Sequence, residues 1–163
     1  MPIQSFFTYL QTPIGYLEIE SDDTVIRSVK FVEESGNKSK QQPVVLRNCY
    51  KELQEYFAGE RKVFTIAIQQ NGTPFQQQVW QSLLPIPFGK TTSYLAFSKK
   101  LNNVGAIRAV GTSNGKNKIA IIVPCHRVIG SDGKLTGYSG GLHRKKWLLD
   151  HEAKMMGTFS SLF

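Results

Sequence analysis

Ser93-Tyr94-Leu95-Ala96-Phe97-Ser98-Lys99-Lys100-Leu101-Asn102-Asn103-Val104-Gly105-Ala106-Ile107-Arg108-Ala109-Val110-Gly111-Thr112-Ser113 is the stretch on which the fold turns. Ser93 suits an N-cap, because its short side-chain oxygen can accept a backbone N–H of the first helical turn, and the spacing predicts a helix from there through Leu101. Asn102-Asn103-Val104-Gly105 is turn chemistry, and Ala106 to Ser113 can form a further short helix. Helix, tight turn with Gly, helix is the layout of a helix-turn-helix. Its second helix carries Ala106, Ala109, Gly111 and Ser113, so its backbone can approach a partner closely, and Arg108 is its only charge. The same small residues would also suit a helix packed inside the protein.

Upstream, Asn71-Gly72-Thr73-Pro74 is a turn and marks a boundary between residues 1–71 and 72–163. Thr73 can cap a helix with Pro74 at its first position, and Phe75, Val79 and Leu83 form an apolar stripe. That helix stops at Pro85-Ile86-Pro87-Phe88-Gly89. Before the boundary, Phe6–Leu10, Gly15–Glu20 and Val25–Val32 are short, β-rich and punctuated by turn residues, as a β-meander requires. Residues 34–43 read as a loop. A helix from Val45 to Phe57 follows, with Cys49 on its apolar stripe as core packing.

Downstream, Ile119-Ala120-Ile121-Ile122-Val123 reads as a short buried strand. Pro124 cannot donate to a sheet ladder, so the strand should stop there and present Cys125 at its end. A thiol beside His126 and Arg127 is expected to have a depressed pKa, which makes Cys125 a candidate nucleophile. A buried structural cysteine is the other reading of the same residue.

The charge is divided unevenly. Residues 1–71 hold eight Lys/Arg and nine Asp/Glu, whereas residues 72–163 hold twelve Lys/Arg and only Asp132, Asp150 and Glu152. The second half is therefore +9 and contains Cys125, which points to a polyanion such as nucleic acid or else to a solvated basic face. Two cysteines make neither a disulfide framework nor a zinc motif. With no membrane-length apolar run and no signal-peptide pattern in residues 1–5, the expectation is a cytoplasmic protein without membrane contact.

Taken together, these motifs resemble the O6-alkylguanine-DNA alkyltransferases, the methylated-DNA–protein-cysteine methyltransferases. The matching string runs through Gly72-Thr73-Pro74-Phe75-Gln76, Val79-Trp80, Ile86-Pro87-Phe88-Gly89 and Thr92-Ser93-Tyr94. It continues with Arg108-Ala109-Val110-Gly111, Asn117, Pro124-Cys125-His126-Arg127-Val128-Ile129, Gly137-Tyr138-Ser139-Gly140-Gly141-Leu142, and Leu148-Leu149 with Glu152. Thr12-Pro13-Ile14-Gly15 and Glu55-Tyr56-Phe57-Ala58-Gly59 agree in the first half.

The resemblance implies an α/β N-terminal subdomain with a ribonuclease-H-like sheet and a helix, serving as scaffold. It implies a mostly α, winged-helix-like C-terminal domain containing the helix-turn-helix. It also implies single-use transfer of a methyl or larger alkyl group from guanine O6, or thymine O4, to Cys125, with no cofactor. The partner would be double-stranded DNA with alkylated bases, met by a monomer, at the nucleoid in a bacterium. Glu152, His126 and a water would form the relay to Cys125. Tyr94 would press on the phosphate beside the lesion and help protonate the leaving base, and Arg108 would fill the space left by the flipped nucleotide. Ser93, Ala109 and Gly111 would meet DNA; Asn117 would tie the recognition helix to the strand before Cys125. Val128, Tyr138, Ser139 and Gly140 would line the base pocket. Three departures stand out. Asn117-Lys118-Ile119-Ala120 replaces the Asn-Pro-x-Pro of many relatives, Ser98 replaces a common alanine, and the N-terminal zinc ligands of some relatives are missing, so no metal is expected.

Overall fold

The computed structural model describes residues 3–158, Val104 through its backbone alone. The chain divides into two compact units, residues 1–70 and 71–163. In the first, β1 (Phe6–Thr12), β2 (Gly15–Ser21) and β3 (Ile26–Val32) form an antiparallel sheet in the order β1-β2-β3. The register sets Leu10 opposite Leu17 and Thr8 opposite Ile19. All four are buried, because alternate side chains of a strand share a face. Helix α1 (Val44–Phe57) covers that face with Leu46, Cys49, Leu53 and Tyr56, spaced three and four residues apart. Residues 67–69 add a short parallel edge: Ile26 N–H donates to Ala67 O at 2.9 Å, and Gln69 N–H donates to Ile26 O at 2.9 Å. Glu52, buried on α1, accepts from Thr65 N–H at 2.8 Å and fastens the same segment. The expected strands and helix are all present, and Cys49 is core.

In the second unit, α2 (Pro74–Leu83) starts with a reciprocal capping box between Thr73 and Gln76. Ser93 caps α3 (Tyr94–Lys100) by accepting from Ala96 N–H at 3.0 Å. Lys99 and Lys100 close that helix, where positive charge complements the dipole. A 3-10 turn (Val104–Ala106) leads into α4 (Ile107–Gly115), so α3 and α4 are the two arms of the helix-turn-helix. Trp80 of α2 donates from its indole to Ser113 O at 2.8 Å and holds α4 in place. Strand β4 (Thr92–Ser93) pairs in parallel with β5 (Val128–Ile129), which brings the start of α3 beside the residues that follow Cys125.

Helix α5 (Leu142–Met155) completes this unit. Its buried face is Lys145, Leu148, Leu149, Glu152 and Ala153. Two of those five side chains are ionisable, so hydropathy alone does not reveal the stripe.

Candidate active site

The sequence predicts a strand at 119–123, and the structure corrects this. Residues 120–123 are turn and bend, with Ile122 N–H donating to Ala120 O at 2.8 Å and Val123 N–H to Ile119 O at 3.1 Å. Ile121 lies at φ +72°, a conformation that a β-branched residue rarely adopts. The reason lies in Asn117, at the foot of α4. Its carbonyl accepts from Ile119 N–H at 3.1 Å, and its amide donates to Val123 O at 2.9 Å and Ile119 O at 3.3 Å. Those are backbone groups that a sheet neighbour would otherwise claim. Five apolar residues in a row signal burial, which a coiled loop satisfies as well as a strand. Lys118 donates to Asn71 O at 3.0 Å.

Cys125 therefore opens a 3-10 turn (Cys125–Arg127) rather than ending a strand. It is 4% exposed. Asn117 Nδ2 donates to its sulfur at 3.3 Å. The expected depression of the thiol pKa is also corrected: burial pushes it up, against the pull of the Asn117 bond, the Lys145 ammonium and a backbone hydrogen bond. The guanidinium of Arg127, two residues on, is occupied elsewhere.

Arg127 and His126 both serve Glu152. Arg127 donates from Nε to Oε1 at 2.9 Å and from Nη2 to Oε2 at 3.1 Å, while its Nη1 donates to Ile86 O at 2.7 Å. His126 Nε2 lies 2.7 Å from Glu152 Oε2, and Gly89 N–H donates to Oε1 at 3.1 Å. All three side chains are buried. Burial alone would raise the Glu152 pKa, but the contacts with His126 and Arg127 outweigh it and hold the carboxyl far below its ordinary range. A permanent carboxylate can only accept, so His126 carries its proton on Nε2. Burial lowers the His126 pKa despite Glu152, with Arg127 and Lys145 acting in the same direction, so the ring is neutral. Its Nδ1 is then a buried lone pair without a hydrogen-bond partner among the described residues.

Lys145 of α5 escapes sequence reasoning altogether. Fully buried, it donates to Val128 O at 2.6 Å, Thr136 O at 2.8 Å and Gly137 O at 3.4 Å, binding the 130–141 segment to β5. Burial lowers its pKa to about 8, opposed by Cys125. Its place on the α5 stripe, three residues before Leu148 and seven before Glu152, was the available signal.

Tyr94, half-buried at the start of α3, accepts from Asn114 Nδ2 at 3.3 Å. Burial raises its pKa against that bond and a second one from the Thr136 side chain. The Tyr138 hydroxyl is buried without a hydrogen-bond partner among the described residues, and burial together with Cys125 drives its pKa well up. Charge on Cys125 raises the pKa of both tyrosines. Val128 is buried in β5, Ser139 is exposed, and Gly140 O accepts from Arg144 at 3.1 Å. On α4, Arg108 and Ala109 face solvent beside exposed Ile107, and Gly111 is partly exposed. Among the described residues, no cluster of His, Cys, Asp and Glu could hold a metal ion, and no helix is long and apolar enough to cross a membrane.

Two family models match the chain. Residues 74–154 match "6-O-methylguanine DNA methyltransferase, DNA binding domain", and residues 6–70 match "6-O-methylguanine DNA methyltransferase, ribonuclease-like domain". The methylated-DNA–protein-cysteine methyltransferase of Mycobacterium bovis is 42% identical over 158 residues, covering 94% of this chain and 96% of that protein. The crystal structure of Mycobacterium tuberculosis O6-methylguanine methyltransferase aligns with a TM-score of 0.84 at 40% identity, covering 93% of this chain and 94% of that one. Mycobacterium tuberculosis OGT in complex with DNA aligns at 0.82 and 41% identity, with 91% and 93% covered.

Proposed function

Because the chain belongs to the 6-O-methylguanine DNA methyltransferase family, we propose that it repairs DNA by moving an alkyl group from guanine O6 to the sulfur of Cys125, once per molecule. One observation carries this reading: a buried thiol held by Asn117 lies beside His126, whose one free nitrogen is a base and whose other is fixed on Glu152. Thymine O4 is a second alkyl donor of the same kind.

The resting nucleophile is a thiol, so deprotonation accompanies attack. His126 Nδ1 takes the Cys125 proton through a bridging water, and Glu152 steadies the imidazolium that forms. The new S–C bond forms as the C–O6 bond breaks. Tyr94 gives a proton to the departing base and recovers one from the His126 relay, so the thiol proton ends on guanine. Lys145 and Asn117 supply positive charge and an N–H donor to the developing thiolate. A thioether C–S bond is not cleaved by water and a general base, so the protein is consumed.

A sulfur only 4% exposed cannot reach into a base stack. The nucleotide is therefore flipped out of the duplex, at a cost of about a few kcal/mol. Arg108, exposed on α4, fills the gap; Ser93, Ala109 and Gly111 line the DNA contact. Val128, Tyr138, Ser139 and Gly140 border the flipped base. Unit 71–163 performs binding and transfer, unit 1–70 is a scaffold, and a monomer in the cytoplasm, at the nucleoid in a bacterium, suffices. The test is intact-mass and peptide mass spectrometry after incubation with a duplex containing O6-methylguanine. One methyl per molecule on the Cys125 peptide is expected; sustained turnover or label on Cys49 would overturn the proposal.

A further inference from the structure

Asn114 closes the last turn of α4, 3% exposed, where three elements converge. Its Nδ2 donates to Tyr94 Oη at the start of α3 and to Cys125 O in the nucleophile turn, each at 3.3 Å. A backbone carbonyl can only accept, so the amide orientation is fixed and the NH2 group must face both oxygens. The Asn114 Oδ1 that this leaves behind is buried without a hydrogen-bond partner among the described residues. An unpaired buried carbonyl is destabilising, because it gives up its water without a replacement donor. The residue is thus oriented by what it holds and not by its own full satisfaction.

The consequence falls on Tyr94. Its hydroxyl accepts from Asn114, and the Thr136 side chain hydrogen-bonds the same oxygen. The Asn114 amide N–H can only donate, so the Tyr94 hydroxyl proton points away from Asn114. We infer that Asn114, assisted by Thr136, is a positioning residue that turns the Tyr94 proton toward the incoming base and couples the recognition helix to the nucleophile turn. This rests on the alkyl-transfer reading above. Helix α4 thereby acquires a second role, since the helix that meets DNA at Arg108 fixes, two turns later, the proton donor for the leaving group.

The test is a double-mutant cycle in single-turnover transfer from O6-methylguanine duplex, using Asn114→Ala and Tyr94→Phe. Loss of an aligned proton donor costs on the order of 10²-fold, so Asn114→Ala should slow transfer about 10- to 100-fold. In the Tyr94→Phe background the same change should cost several-fold less, the remainder reporting the contact with Cys125 O, as expected for residues that share one contact of two. Losses that multiply in full would overturn the inference. Thr136→Val, on an exposed loop, makes the same cycle with Tyr94 and serves if Asn114 variants do not fold. A second readout is independent of activity: in protein with 13C-labelled tyrosine, Asn114→Ala or Thr136→Val should raise the Tyr94 pKa, and an unmoved titration would also overturn the inference. A wild-type protein that takes up no methyl would instead sink the transfer reading, leaving the titration to decide this one.

Discussion

Asn117 Nδ2 donates to Cys125 Sγ at 3.3 Å while the same side chain takes up the backbone of Ile119 and Val123. One residue both shapes the loop and touches the nucleophile. It also holds Ile121 in a left-handed conformation that the sequence would not choose. Asn117→Ala should therefore lower stability by about 3 kcal/mol, since it orphans several buried groups. Urea denaturation reads the first effect. Reactivity toward iodoacetamide across pH reads the second, a thiol pKa higher than in wild type; unchanged thiol reactivity would show that the sulfur contact is idle.

Lys145 supplies a prediction with a definite sign. In the folded protein it loses its proton at about pH 8, against 10.5 when exposed. Between those values the unfolded chain binds more protons, so this position favours folding increasingly as pH rises. The gap in urea midpoint between wild type and Lys145→Met should move in favour of wild type from pH 8 to 10. A constant gap would mean that the ammonium titrates normally.

The acid limb depends on His126 and Glu152. His126 is held below 6.5 and Glu152 below 4.5 in the folded state. Both make the unfolded chain the better proton acceptor as pH falls, so stability is lost first through the upper value and then through the lower one. In Glu152→Gln the lower step should shrink, and melting temperatures measured from about pH 5 down to about pH 2 would reveal it. The variant should also lose at least tenfold in transfer rate, because His126 no longer rests on a carboxylate.

Arg108 is exposed on α4, where its side chain adds little to the fold. Arg108→Ala should leave the melting temperature within about 2 °C, since surface changes are typically worth less than about 0.5 kcal/mol. Its rate on duplex O6-methylguanine should fall, and its rate on free O6-alkylated base should hold. Equal losses would assign Arg108 another role. Affinity for unmodified duplex should meanwhile decline with salt at a slope of about −0.9 per phosphate contact, and a flat curve would place the basic face away from DNA.

The first unit was legible because its strands alternate and its helix keeps a regular stripe, and so were the capped helices α2 and α3. Residues 119–123 were not, since an apolar run reports burial and not the side-chain amide that replaces a sheet partner. The site divides in the same way. Cys125, His126 and Glu152 could be read through motif resemblance. Lys145 and Asn114 could not, because their meaning lies in carbonyls and hydroxyls contributed by distant segments. Arg127 misled: a guanidinium two residues from Cys125 in sequence suggested help for the thiol, whereas the 3-10 turn sends it to α5.

Glu152 follows His126 and Arg127 by 26 and 25 residues. A ribosome delivers the chain in that order, so the imidazole and guanidinium emerge well before the carboxylate on which they rest. Lys145, too, arrives after the sulfur it faces. Until α5 is in place the thiol lacks the ammonium and the seated imidazole that the proposed transfer step uses. The Glu152–His126 contact and the Lys145 ammonium are both completed only when α5 docks, so burial of the sulfur and competence for transfer arrive together, as the last step in building the protein.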